Sequence, residues 1–196
     1  MCLDLVGEIL VARRQLVIVP GLGDRGQLYQ LFRPLWTLFG YDVHIVVFGW
    51  KHADVPFAEA RKQLLARIDM LSGDVCVIGV SAGGSAAIHA LLARPDVVTH
   101  AVTVCSPYTL PRDWKLNRLL VQSVRDLDLR FVQIDNMLKQ RVLSVFGAYD
   151  PKVPAILSRP RGVRSVGLPT IGHGLSIGAA LTIFCWPIWR FLRLPS

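Results

Sequence analysis

The chain is 196 residues long, 52% hydrophobic, with a formal net charge of +8. Length and apolar content suit one domain, 1–196, around a single large core, because separate domains usually run about 100–150 residues each. No Ser/Gly-rich linker, low-complexity tract or internal repeat interrupts it, which excludes repeat arrays.

The charge is uneven, with 11 Lys/Arg against 5 Asp/Glu between Arg112 and Arg164. Such a basic face reads first as solvated surface, and second as a surface that attracts anionic lipid headgroups or anionic substrates. No nucleic acid is expected as a partner, since the basic residues are not interleaved with stacking aromatics and no recognition motif occurs. The four cysteines, Cys2, Cys76, Cys105 and Cys185, are too scattered for a metal site or a disulfide framework. Asp4 and Glu8 precede Arg13 and Arg14, the reverse of a secretory signal, so free thiols in a reducing, cytoplasmic setting are expected.

Six short apolar runs alternate with helical patterns. In chain order, a strand at Gln15–Pro20 precedes a helix at Gly26–Leu38, and a strand at Val43–Phe48 precedes a helix at Phe57–Leu71, whose apolar residues recur three and four apart. A strand at Val75–Gly79 leads into a helix at Ala82–Ala93. A strand at Ala101–Cys105 is followed by residues 108–140, an insertion with helical patterns at Trp114–Asp126 and Leu129–Lys139 and room for a small cap at most. Strands at Arg141–Phe146 and Arg164–Leu168 flank a proline-rich loop, residues 154–161. The Val/Ile-rich runs lack strict alternation, as strands buried on both faces do. The expected class is α/β, a mostly parallel open sheet of about six strands with helices on both faces.

The run Leu175–Trp189 is uncharged and ends in Trp186, Trp189, Arg190 and Arg193. It is shorter than the ~20 residues that span a bilayer and contains Pro187, so it reads as the last sheet-covering helix. Its Trp/Arg end also suits peripheral contact with a membrane surface.

Gly79-Val80-Ser81-Ala82-Gly83 is the most informative stretch, because it joins a predicted strand to a predicted helix. On so tight a turn the serine backbone is strained, and glycines at the flanks let strand and helix approach. The hydroxyl then stands at the carboxyl end of the sheet, and the amide of Ala82 lies at a helix N-terminus, where negative charge is favoured.

In a parallel sheet, reactive groups gather in the loops at the carboxyl ends of the strands. The loop after the first strand is Gly21-Leu22-Gly23-Asp24, the loop after the fifth holds Asp150, and the loop after the sixth brackets His173 between Gly172 and Gly174. This order of serine, acid and histidine, each at a strand end, resembles the α/β-hydrolase family over essentially the whole chain, in a minimal form with a small or absent lid. The resemblance implies Ser81 as nucleophile, His173 as general base and Asp150 as the residue orienting it. It also implies the backbone amides of Leu22 and Ala82 as an oxyanion hole, and no metal or organic cofactor. Independently of the family, a serine hydroxyl needs a base to take its proton, and the base needs a partner to fix its tautomer.

Each residue also has a plainer reading. Ser85, one turn into the helix, packs or bonds backward to a carbonyl. His44, His52, His89 and His100 lack a setting like that of His173, and Asp24, Asp126, Asp128 and Asp135 read as caps or solvated positions. Asp150-Pro151 is also an ordinary turn opener.

The expected activity is cleavage of small carboxylic esters through an acyl-serine intermediate. Tyr108, Leu110 and Trp114 offer an apolar wall for an acyl group. A thioesterase or acyltransferase would use the same three residues, and a non-catalytic membrane-associated binding protein could share the fold. Oligomeric state is not encoded in any feature of the sequence.

Overall fold

The computed structural model describes residues 13–23, 26–50, 55–111, 118–131 and 135–195, the side chains of 128–131 excepted. Six strands form one sheet, β1 (Arg14–Val19), β2 (Tyr41–Ile45), β3 (Val75–Val80), β4 (Val98–Val104), β5 (Val142–Tyr149) and β6 (Arg164–Ile171). Their spatial order is β2-β1-β3-β4-β5-β6. Every pairing is parallel, so all six carboxyl ends lie along one edge. β3 and β4, at the centre, are buried at every position. That is the cause of the continuous apolar sequence of β3, while β4 also buries Thr99, His100 and Thr103.

The helices are α1 (Gly26–Tyr29), α2 (Arg33–Leu38), α3 (Phe57–Asp69), α4 (Gly83–Ala93), α5 (Arg118–Phe131), α6 (Asn136–Gln140), α7 (His173–Leu181) and α8 (Trp186–Leu192). Side chains alternate along each strand, so Val17 and Val19 pack with Leu64 of α3, Ile88 of α4 and Val124 of α5. Leu16 and Ile18 point the other way, into a second core with Trp36 of α2, Leu181 of α7 and Phe191 of α8. The fully buried Trp36 donates its indole N–H to the carbonyl of Leu181 at 3.2 Å, so the polar atom of the largest core residue is satisfied.

Two expected helices are divided. The stretch 26–38 is α1, a 3-10 turn at Gln30–Phe32, and then α2 with Pro34 in its first turn. Pro34 has no N–H to donate, which favours a fresh helix start over continuation. The C-terminal run is likewise two helices, α7 and α8, bent by 55°, with Pro187 in the first turn of α8. Among the described residues no single helix is long and apolar enough to cross a membrane. Joined, α7 and α8 have the length and composition, but Ala180, Leu181, Ile188 and Leu192 are fully buried against the sheet. Trp186 stacks on Trp189 with centroids 4.5 Å apart, and the Arg193 guanidinium sits 4.6 Å over the Trp189 ring.

In the insertion, α5 runs further than expected, through Phe131, and packs on α3 and α4. It is therefore a layer of the fold rather than a cap over the strand ends. Residues 112–117 and 132–134 lie outside the described residues. Asp135 caps α6 by accepting from the amide of Met137 at 3.2 Å, as its sequence position suggests.

His100 on β4 is buried against the edge of Phe191, and its Nδ1 has no hydrogen-bond partner among the described residues. Burial first, then the charges of Arg141 and Arg14, lowers its pKa from 6.5 to about 4. Stability from the neutral ring is therefore fully present above pH 6.5 and is lost as the pH falls toward 4, by about 3 kcal/mol. In urea melts across that window, His100→Phe flattens the acid slope of the wild type. An unchanged slope counts against this assignment.

Candidate active site

The turn after β3 is built from close backbone approach. A Cβ on Gly79 would strike the carbonyl of Gly83, and a Cβ on Gly83 would strike the carbonyl of Val19, so α4 can press onto β3 and β1 only with glycine at both positions. Between them Ser81 is held at φ +53°, in the left-handed region that serine rarely adopts. Its amide donates to the carbonyl of Val104 at 2.8 Å, anchoring the strained residue to β4.

His173 is the first residue of α7, and Gly172, at φ +91°, turns the chain from β6 into that helix. Its Nε2 lies 2.9 Å from Ser81 Oγ, and its Nδ1 lies 2.6 Å from Asp150 Oδ2. With Nδ1–H donating to the carboxylate, Nε2 is left as the acceptor for the serine hydroxyl. Asp150 is held in turn by the amides of Lys152 and Val153, which donate to Oδ1 at 2.9 and 3.0 Å. The Asp-Pro turn opener and the partner of the imidazole are thus the same residue. The carboxylate side chain is 1% exposed and the ring 14%, so the acid end of the file is shielded from water.

The loop after β1 closes over the serine, since a Cβ on Gly21 would lie 2.9 Å from Ser81 Cβ. Leu22 lines the same cavity as Ser81, while Ala82 is buried at the entrance to α4. A cavity of about 230 Å³ opens here, lined by Gly21–Gly23, by Leu28 and Tyr29 of α1, by Ser81 and Lys152, and by His173 and Ile177 of α7. Burial pushes the Tyr29 phenol up to about 12, so it lines the cavity as a neutral group. A larger cavity of about 680 Å³ lies at the opposite edge, among Asp74, Thr99, His100 and Arg141 near the strand starts, away from Ser81 and His173.

Two residues of the expected acyl wall, Tyr108 and Leu110, do not line this cavity. Tyr108 is 4% exposed, sits in the core beside α4 and α5, and bonds Thr103 Oγ1 through its hydroxyl at 2.9 Å. Leu110 packs against the same core. The fourth strand is followed by a segment that dives inward, because the amide of Tyr108 pairs with the carbonyl of Leu157. Trp114, Asp24 and His52 lie outside the described residues, as does the side chain of Asp128.

The other candidates fall into structural roles. Ser85 donates backward to the carbonyl of Ala82 at 3.0 Å and meets Ser123 Oγ at 2.9 Å. Asp126 faces His89 and Arg61, not His173. His44 Nε2 lies 2.8 Å from Gln15 Oε1.

Cys105 was the neighbour that sequence patterning did not single out. It follows the last residue of β4 at φ +50°, the other non-glycine residue with positive φ among those described. Its Sγ, an Asp150 oxygen and a His173 nitrogen all lie within 4.8 Å of one another. Burial raises the thiol to about 12, so it stays protonated, and the carboxylate and imidazole are already bonded to each other. That donor set suits a hydrogen-bonded cluster better than a cation. The strand-end position of Cys105 was the available signal.

No protein-family model and no curated protein matches the chain by sequence. Solved structures do match by shape. A monoacylglycerol lipase from Paleococcus ferrophilus superposes with a TM-score of 0.69 at 16% identity, over 91% of this chain and 93% of the other. The chain has the α/β-hydrolase fold. Est1E from Butyrivibrio proteoclasticus gives a TM-score of 0.63 at 16% identity, over 92% and 87% of the two chains. A pyrethroid hydrolase from Sphingobium faniae JZ-2 gives 0.67 at 16% identity, over 93% and 98%. At such identities the likeness is one of fold.

Gly172 has open space where a Cβ would go, so its value is conformational alone. Gly172→Ala costs about 1–2 kcal/mol, read as a lowered denaturation midpoint. Gly83→Ala, which must displace the β1 backbone, costs more than Gly172→Ala. Equal midpoints for the two variants contradict the close-approach account.

Proposed function

We propose that the protein is a serine hydrolase that cleaves carboxylic esters. The observation that carries this reading is the unbroken file Ser81 Oγ, His173 Nε2, His173 Nδ1, Asp150 Oδ2, assembled at a serine held in a left-handed turn. The lipase and pyrethroid-hydrolase likenesses support it as neighbours of the same fold.

In the proposed mechanism His173 Nε2 takes the proton of Ser81 as Oγ attacks the ester carbonyl carbon. Asp150 keeps the ring in the Nδ1–H tautomer and stabilises the imidazolium. The carbonyl oxygen gains negative charge, which the amides of Leu22 and Ala82 receive. The tetrahedral intermediate collapses, the alcohol leaves with the proton from His173, and an acyl-serine remains. Water attacks this ester with the same assistance, releasing the acid and restoring Ser81. The same steps act on a thioester, or on an added alcohol in place of water, so thioester cleavage and acyl transfer are properties to measure on the same site.

Turnover of nitrophenyl esters from acetate to palmitate, with labelling by a fluorophosphonate probe, tests the reading. Ser81→Ala and His173→Ala lower kcat by at least about 10³-fold, and Ser81→Ala abolishes labelling. Asp150→Asn leaves a residual rate, since the wrong tautomer is favoured while the oxyanion site survives. Absence of both labelling and turnover in the folded wild type would falsify the proposal and favour a non-catalytic binding protein.

A further inference from the structure

The cavity beside Ser81 is lined mostly by apolar groups, with one cationic side chain, Lys152, among its described lining residues. Lys152 is exposed, and its backbone is fixed because its amide donates to Asp150 Oδ1. The root of the side chain is thus set by the same turn that sets the acid. No carboxylate among the described residues pairs with its ammonium. The nearest acid in the chain, Asp150, has its two oxygens engaged by His173 and by the amides of Lys152 and Val153.

The surroundings sharpen the consequence. Leu28 and Ile177 line the cavity, and Tyr149, Ile171 and Leu175 stand exposed on the strand and helix ends beside His173. Among this largely apolar lining, Lys152 is the residue whose charge distinguishes an anionic substrate from a neutral one of the same shape. At about 230 Å³ the cavity is smaller than the ~300–1,000 Å³ usual for drug-sized ligands, so the reacting carbonyl and any charged group of a substrate sit close together.

We propose that this site selects esters carrying an anionic group, a carboxylate or a phosphate, which the Lys152 ammonium binds while Ser81 addresses the acyl carbon. The inference rests on the ester-hydrolase reading above. It adds a specificity residue and a substrate class. The anion can belong to the acyl group or to the alcohol, and the two cases are separable.

Two matched pairs test it. 4-Nitrophenyl butyrate against 4-nitrophenyl hydrogen succinate places the charge on the acyl side. Monobutyrylglycerol against its phosphate places it on the alcohol side. The readout is the ratio of kcat/KM for the anionic member to that for the neutral member, in wild type, Lys152→Ala, Lys152→Glu and Lys152→Arg. In at least one pair the ratio falls about fivefold in Lys152→Ala, as for a partly exposed charge pair. It falls further in Lys152→Glu and is retained in Lys152→Arg. Sodium chloride at about 0.5 M lowers the wild-type ratio and leaves that of Lys152→Ala unmoved. Ratios equal in wild type and Lys152→Ala for both pairs, or both members falling together, overturn the inference while the hydrolase reading stands. A wild type that is labelled by the fluorophosphonate probe yet cleaves none of the four overturns the inference alone, and one that is neither labelled nor active on any ester overturns both.

Discussion

The structure depends on a single steric condition, the approach of α4 to β3 and β1 at a distance that admits no Cβ. Gly79 and Gly83 meet that condition, and the chain between them has no room to relax from the left-handed turn at Ser81. Strain of this kind costs of order 1–3 kcal/mol and persists only where surrounding packing over-determines it. Here that packing is the fully buried β3 and the almost wholly buried α4. The serine hydroxyl is presented at the turn between strand and helix as a result.

The parallel sheet supplies the rest. Because all carboxyl ends share one edge, groups 92 and 23 residues distant from His173 in sequence reach its two ring nitrogens. Ser81 and Asp150 are held from behind by backbone, and the ring of His173 by the carboxylate so fixed. Ser81 is tied to β4, Asp150 to its own turn, and the ring of His173 to Asp150, with Gly172 bonded to the end of β5. Little reorganisation is needed when charge moves along the file, which is the condition under which fixed dipoles act most strongly.

Much of this was legible in the sequence. Strands β1 and β3 announce themselves as Val/Ile-rich runs because burial on both faces leaves few polar positions, and the glycine spacing around Ser81 identifies the turn. Asp150 and His173 follow from asking what stands after each strand. What could not be read were the tertiary choices. The segment after β4 turns inward because the amide of Tyr108 pairs with the carbonyl of Leu157, a contact with no local signal, so an expected wall residue is core. Cys105 looks like any buried strand cysteine until its positive φ and its proximity to Asp150 and His173 are known. The cavity is lined instead from α1 and α7, elements whose apolar residues read as ordinary packing.

The position of His173 as the first residue of α7 ties the imidazole mechanically to the interior. That helix is about 14 Å from end to end, and its far end is pinned where the carbonyl of Leu181 receives the indole of Trp36. The other end is fastened too, by the bond of the ring to Asp150 and of the Gly172 amide to β5, so the helix is a short brace between the aromatic interior and the reactive rim. Packing beneath α2 thus shares in seating the ring, and the deep core is part of the footing of the surface chemistry.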